Sequence, residues 1–249
     1  MKLDCVLASV NEDPFYLDFI PFFIKVWSKL YPKVDVKIIL IAKQIPEKFI
    51  EFKNNIILFN SIENISSVFI SKYIRLLYPP LLNYDNGILI TNIDNVPLSR
   101  DFFTKNIEDL DDKYWVNYRS WKELDHTGEK LSLCWQISNR NNWAEVFGIN
   151  SLNDIKQRLI EKSQNMQDCK EELDLCKYLM NWHKKTNRYI NLNDNKTGFR
   201  RLERSFRKIL SVLQPQNHKH IKEGFFSDYN CMRPMEDYAK LNDFIYSIL

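Results

Sequence analysis

The twelve residues Gly87 to Leu98 read GILITNIDNVPL, and the reading of this stretch decides the fold. Ile88, Leu89 and Ile90 form an unbroken apolar run, which suits a strand covered on both faces rather than one with a wet side. The run ends abruptly in Thr91, Asn92 and Asp94, and Pro97 lacks the N–H that a continuing ladder needs. In open α/β sheets the carboxyl ends of buried strands are where ligands bind, so an amide and a carboxylate delivered there mark a candidate site.

Residues before this strand supply the rest of such a sheet. DCVLASV (4–10), VKIILIA (36–42) and NNIILFN (54–60) read as strands. YLDFIPFFIKVWSKLY (16–31) has helical spacing through Leu17, Ile20, Phe23, Ile24 and Trp27. SSVFISKYIRLLYPPLL (66–82) is an amphipathic helix stopped by Pro79 and Pro80. Strand, helix, strand, strand, helix, strand is the order of an α/β fold with a mainly parallel central sheet flanked by helices. Further on, KYWVNYRSW (113–121) and LSLCWQIS (131–138) read as strands. NWAEVFGINSLNDIKQRLIEKSQ (142–164), EELDLCKYLMNWHKK (171–185) and the basic FRRLERSFRKILSVL (199–213) read as helices.

At 249 residues, with 45% hydrophobic and 27% charged, the chain can bury a real core, and no composition break divides it. A net charge of +3 is too mild to argue for a nucleic-acid partner. Cys5, Cys134, Cys169, Cys176 and Cys231 are scattered and odd in number, with no CxxC pair, so neither a zinc knuckle nor a disulfide framework is supported and a reducing compartment fits best. The opening MKLDCVLASV is too charged, and too short in its apolar run, for a signal peptide. The most apolar stretch, FYLDFIPFFIKVW, carries Asp18, Pro21 and Lys25, so no membrane span is expected and a cytoplasmic location is.

Six stretches carry a wider likeness, in order along the chain. LASVN (7–11) is similar to a loop that grips a nucleotide base and ribose, through Ala8, Ser9, Val10 and Asn11. SKYIRLLYPPLLNYDNGILITNIDNVPL (71–98) runs through a helix with Lys72 and Arg75, then P-x-L, then a strand ending in a D-x-D position, here Asn92-Ile93-Asp94. LCWQISNRNNWAEVFGI (133–149) is similar to an acceptor-side segment, with Trp135 and Gln136 toward the acceptor. EELDLCKYL (171–179) is similar to a D-E-x-x-L helix start, FRRLERS (199–205) to R-L-D-R, and SDYNCMRP (227–234) to D-x-H-x-x-R-P. Together they resemble the GT-A type nucleotide-sugar glycosyltransferases, and most closely the small soluble ones that large DNA viruses encode. The resemblance implies one GT-A-like domain over residues 1–249, with a nucleotide-sugar-binding half (1–100) and a mixed α/β acceptor-side half with C-terminal helices (101–249). It implies transfer of a hexosyl or deoxyhexosyl group from a UDP- or GDP-linked sugar to a carbohydrate or glycoprotein acceptor. It also implies a divalent ion, Mn²⁺ or Mg²⁺, held by Asp94 with Asn92 and Asn230.

Glycosyl transfer needs charge stabilised on the leaving diphosphate and a group to take the acceptor's proton. Lys72 and Arg75 lie three apart on one helix face, where both can reach the carboxyl edge of the sheet. By motif position Arg201 and Arg204 are the further candidates for the diphosphate. Glu171, Glu172 and Asp174 fall within one helical turn as candidate acid–base residues, although acidic residues also simply stabilise a helix start. Alternation along an extended 92–94 segment puts Asn92 and Asp94 on one side. Two departures weaken the metal: Asn92 brings no charge where the motif has a carboxylate, and Asn230 stands where it often has a histidine. Asn and Asp also favour a plain strand-ending turn, and the 227–234 stretch also reads as an ordinary turn with Arg233 solvated. The rival functions are a catalytically inactive nucleotide- or glycan-binding relative, and a nucleic-acid-binding protein. The latter would use Arg200, Arg201, Arg204, Arg207 and Lys208 with His218, Lys219, His220 and Lys222, although no nucleic-acid motif accompanies them.

Overall fold

Strand β1 (Leu3–Asn11) is buried along nearly its whole length, because helices cover both of its faces. The computed structural model describes residues 1–118, 131, 133–164, 171–202 and 215–249. Along β1, Val6, Ala8 and Val10 enter one core with Phe23 and Trp27, while Cys5 and Leu7 enter the other with Ile70 and Ile74. Successive strand residues point to opposite faces, so an unbroken apolar run is what two covers require. The first cover is α2 (Ile20–Leu30), preceded by the short α1 (Pro14–Leu17). The expected single helix over 16–31 is therefore two. Pro21 sits in the first turn of α2, where its missing N–H leaves nothing unpaired. The second cover is α3 (Ser67–Leu77).

β2 (Asp35–Ile41) pairs parallel with one edge of β1, and β3 (Ile56–Phe59) pairs parallel with β2. β4 (Gly87–Ile90) pairs parallel with the other edge of β1, Leu7 opposite Ile90. The strand order thus reverses direction between β1 and β4, and the crevice beyond their carboxyl ends is the place such sheets offer a ligand.

The chain continues through β5 (Asn95–Pro97), α4 (Phe102–Lys105), β6 (Trp115–Tyr118) and β7 (Gln136–Ser138). After them come α5 (Arg140–Phe147), α6 (Leu152–Ser163), α7 (Glu171–Thr186) and β8 (Tyr189–Leu192). Last come α8 (Asp194–Thr197), β9 (Arg200–Leu202), a helix at Pro215–Lys222, β10 (Phe226–Asn230) and a helix at Ala239–Ile248. Among the described residues the large sheet has seven strands in the order β3-β2-β1-β4-β7-β6-β8. β7 is antiparallel to both β4 and β6, while β6 and β8 are parallel, so the sheet is parallel in its first half and mixed in its second.

Four further expectations change. The helix expected over 142–164 is two, because Gly148 takes the left-handed conformation at φ 64° and ends α5. Ser151 and Asp154 then form a reciprocal cap that starts α6. The strand expected over 131–138 is confined to Gln136–Ser138. Arg200–Leu202, expected to open a basic helix, is a strand parallel to β10, with Leu202 opposite Tyr229; Arg204, Arg207 and Lys208 lie outside the described residues. Residues 226–230, where a plain turn was the alternative, form β10, which pairs antiparallel with β5 and returns the C-terminal region to the end of β4. Among the described residues no helix is long and apolar enough to cross a membrane.

Gly87 sits where β4 meets β7. A Cβ there would lie 2.7 Å from Ile137 Cδ1 and 2.9 Å from the Lys2 carbonyl oxygen. The side chain can move, but the backbone oxygen cannot. Gly87→Ala is expected to cost about 1–3 kcal/mol, the range for overpacking a close-packed interior. Urea unfolding measures it, and an unchanged midpoint would contradict this packing.

Candidate functional site

A cleft of about 400 Å³ opens beyond the carboxyl ends of β1 and β4. Ser9, Val10 and Asn11 form its β1 wall. They are positioned by α3: the Ser9 hydroxyl donates to the Ser71 carbonyl, and Asn11 Nδ2 donates to Ser67 Oγ at 3.2 Å. The floor is the turn after β4. Asn95 N–H donates to the Asn92 carbonyl at 3.1 Å, so residues 92–95 form a closed turn rather than the expected extended alternation. Ile93 is still buried while Asn92 and Asp94 both line the cleft.

Arg75 reaches this turn from α3 and is 7% exposed. Its Nη1 donates to Asn92 Oδ1 at 2.5 Å and to the Thr91 carbonyl at 3.3 Å. Its buried Nε has no hydrogen-bond partner among the described residues. Desolvation pulls the guanidinium below its ordinary pKa, opposed by the negative charges of Glu171, Asp94 and Glu172. The amide nitrogens of Asn92 and Asn95 both donate to Cys134 Sγ at 2.9 Å, which fixes Asn92 with its oxygen toward Arg75. Burial raises the Cys134 thiol above its ordinary pKa, so it serves here as a neutral acceptor.

The opposite wall comes from the C-terminal region. Arg201 Nε lies 2.6 Å from Asp228 Oδ2, and Asp228 is fully buried. Trp135 Nε1 donates to the same oxygen at 3.1 Å, and the Ser227 hydroxyl donates to Oδ1. Trp135 itself has φ 68°, an uncommon conformation for a large side chain. Arg233 brings Nε to 3.3 Å from Asp94 Oδ2, an ion pair without a formed hydrogen bond at Nε. Its Nη1 donates to the Tyr16 hydroxyl, and its guanidinium lies 4.9 and 5.1 Å from the rings of Tyr16 and Phe15.

The fold gathers Ser9, Val10, Asn11, Lys72, Arg75, Asn92, Asp94, Glu171, Glu172, Arg201 and Asn230 on one cleft. Four expected site residues are placed elsewhere. Ala8 is sealed in the core. Asp174 is buried, taking a hydrogen bond from the Tyr73 hydroxyl of α3 and forming an ion pair with Lys162 Nζ, both at 2.7 Å. Trp135 and Gln136 are fully buried and cannot touch an acceptor. Gln136 accepts from Trp115 Nε1 at 2.8 Å and donates to Asn117 Oδ1, closing a core network. Arg204 lies outside the described residues. Arg233, read as solvated in the turn alternative, lines the cleft instead, as do Asp13, Tyr16, Asn95 and Cys134. The R-P step of SDYNCMRP was the one sequence signal for Arg233.

The residues present do not fit a divalent ion. Hard cations need several oxygen ligands. Asn92 Oδ1 already accepts from Arg75, and the Asp94 carboxylate already faces Arg233. No group of three or more His, Cys, Asp or Glu side chains among the described residues is arranged to hold a metal. An ion at Asn92 and Asp94 would sit beside two guanidinium groups and compete with them for these oxygens.

No protein-family model and no curated protein matches the chain. Solved structures do match. The galactosyltransferase LgtC, in complex with donor and acceptor sugar analogues, has a TM-score of 0.53 at 10% identity, over 96% of this chain and 95% of that one. The glycosyltransferase GlyE of Streptococcus pneumoniae TIGR4 has 0.52 at 15%, over 99% of this chain and 63% of its own. A glycosyltransferase involved in glycosylation of the major capsid of PBCV-1 has 0.50 at 8%, over 98% of both chains. At these identities the likeness establishes the fold: an α/β, GT-A-like architecture shared with glycosyltransferases.

The Arg201–Asp228 pair ties β9 to β10 and aims Arg201 at the cleft. Asp228→Ala is expected to cost about 3 kcal/mol, the low end for breaking a buried ion pair, because Arg201 keeps access to water in the cleft. A denaturation midpoint within error of the parent would contradict the pairing.

Proposed function

We propose that this chain is a glycosyltransferase that moves a sugar from a UDP- or GDP-linked donor to a hydroxyl of a carbohydrate or glycoprotein acceptor. One observation carries the reading. The cleft lies at the strand-order reversal of a fold shared with glycosyltransferases, and it brings the β1 loop, three arginines and two glutamates to one place. Each element has work to do in that reaction. Ser9 to Asn11 offer polar edges to a base and ribose. Arg75, Arg201 and Arg233, with the exposed Lys72 at the rim, offer guanidinium and ammonium groups to a diphosphate.

In the transfer, the acceptor oxygen bonds to the anomeric carbon as the bond from that carbon to the diphosphate oxygen breaks. The bonding electrons leave with the diphosphate, where the arginines meet the new charge. The acceptor's proton needs a base, and Glu171 or Glu172, half-buried at the start of α7, is the group we assign to it. A hexosyl or deoxyhexosyl donor and a cytoplasmic setting go with this reading.

The test is nucleoside diphosphate release from a panel of UDP- and GDP-sugars, followed with and without simple glycan acceptors. Release from at least one donor is expected. Glu171→Gln or Glu172→Gln should lower kcat by about 10²- to 10⁴-fold, the range for a general base, with donor affinity unchanged. Donor binding without turnover from any donor would instead identify an inactive relative. Arg201→Ala is expected to weaken nucleoside diphosphate binding by about 1–3 kcal/mol and spare the nucleoside. Equal loss for both would move Arg201 out of the diphosphate site.

A further inference from the structure

Two arginines from distant parts of the chain close on the two residues that a divalent ion would need. Arg75 holds Asn92 Oδ1, and Arg233 faces Asp94 Oδ2. Each keeps a buried Nε without a hydrogen-bond partner among the described residues, and both line the cleft. The partners differ in a telling way. The Asn92 amide and the Thr91 carbonyl are neutral hydrogen-bond partners, so they orient Arg75 and leave only the more distant field of Glu171, Asp94 and Glu172 opposite its charge. A carboxylate at position 92 would orient Arg75 and also pair with it directly, in competition with an incoming anion. A buried guanidinium held by neutral acceptors is costly to the empty protein, and an incoming anion relieves that cost. Arg233 is fixed from three directions, by Asp94, the Tyr16 hydroxyl and the rings of Phe15 and Tyr16. Little side-chain freedom is left for it to lose on binding.

We propose that a nucleoside diphosphate binds this cleft without a divalent ion. Arg75 and Arg233 meet the diphosphate, and Asn92 and Asp94 are positioning residues for the arginines rather than metal ligands. This rests on the nucleotide-sugar reading above. Guanidinium forks match phosphate oxygens in shape and supply fixed positive charge where the departing diphosphate needs it. The amide at position 92 then has a function: it orients Arg75 without a carboxylate bonded to it that would compete with the diphosphate.

Calorimetry of UDP and GDP against the full chain, in EDTA and in Mn²⁺, tests this without any variant. Affinity for whichever nucleotide binds is expected to agree within about twofold between the two buffers, well short of the tenfold that marks real coupling. Asn92→Asp, nearly isosteric, should weaken binding in EDTA by about tenfold, because a carboxylate bonded to Arg75 competes with the diphosphate. Arg233→Ala should weaken the diphosphate by about tenfold and leave uridine or guanosine unchanged. Wild-type binding that collapses in EDTA overturns the proposal and leaves the nucleotide-sugar reading standing. So does wild-type affinity that rises tenfold or more once Mn²⁺ is added. If neither nucleotide binds in either buffer, the nucleotide-sugar reading fails and this proposal fails with it.

Discussion

A guanidinium buried at the point where the strand order reverses is the constraint around which the cleft is built. Arg75 comes from the helix that covers one face of β1 and ends at the turn that terminates β4. Carrying a charge out of water costs several kcal/mol unless acceptors and opposite charges surround it. The carbonyl of Thr91 and the oxygen of Asn92 provide the acceptors, and Asp94, Glu171 and Glu172 provide the field. For this to work β4 must stop at Ile90, the turn must close at Asn95, and α3 must stay in register with β1. The contacts of Ser9 with Ser71 and of Asn11 with Ser67 hold that register.

The same turn is where the C-terminal region attaches. β10 runs antiparallel to β5, and Cys231 N–H donates to the Asp94 carbonyl at 2.8 Å. This pairing places Asn230 and Arg233 against residues that precede them by more than half the chain. Asp228, anchored by Trp135 and Ser227, directs Arg201 to the same cleft. A core strand that ends in polar residues thus becomes a meeting point for three separate regions, each bringing charged groups to one cleft.

The strands of the first hundred residues and the end of α3 were legible because two physical rules decide them. Unbroken apolar runs such as VKIILIA need two covers, and the paired prolines after Leu77 need a helix end. The acceptor-side half was harder. Trp135 and Gln136 look available to a sugar in sequence, yet an indole and an amide are equally at home in a core when each finds a hydrogen-bond partner, as both do here. Asp174 shares a helical turn with Glu171 but faces inward to Tyr73 and Lys162, a choice that only tertiary packing makes. Arg200–Leu202 shares a helical apolar spacing with residues 206–213 of the sequence, but pairing with β10 overrode that local preference. The Arg233–Asp94 pair was illegible for a different reason. Nothing local links two residues so far apart, and only the return of β10 to β5 brings them together.

Amide hydrogen exchange, read with and without UDP or GDP, tests most directly that this cleft is the nucleotide site. Protection is expected in Ser9–Asn11, in the turn 91–95 and around Arg233, with the β3 edge of the sheet unchanged, since bound ligand suppresses local opening where it binds. Protection confined to other elements, such as the helix Pro215–Lys222, would contradict the account.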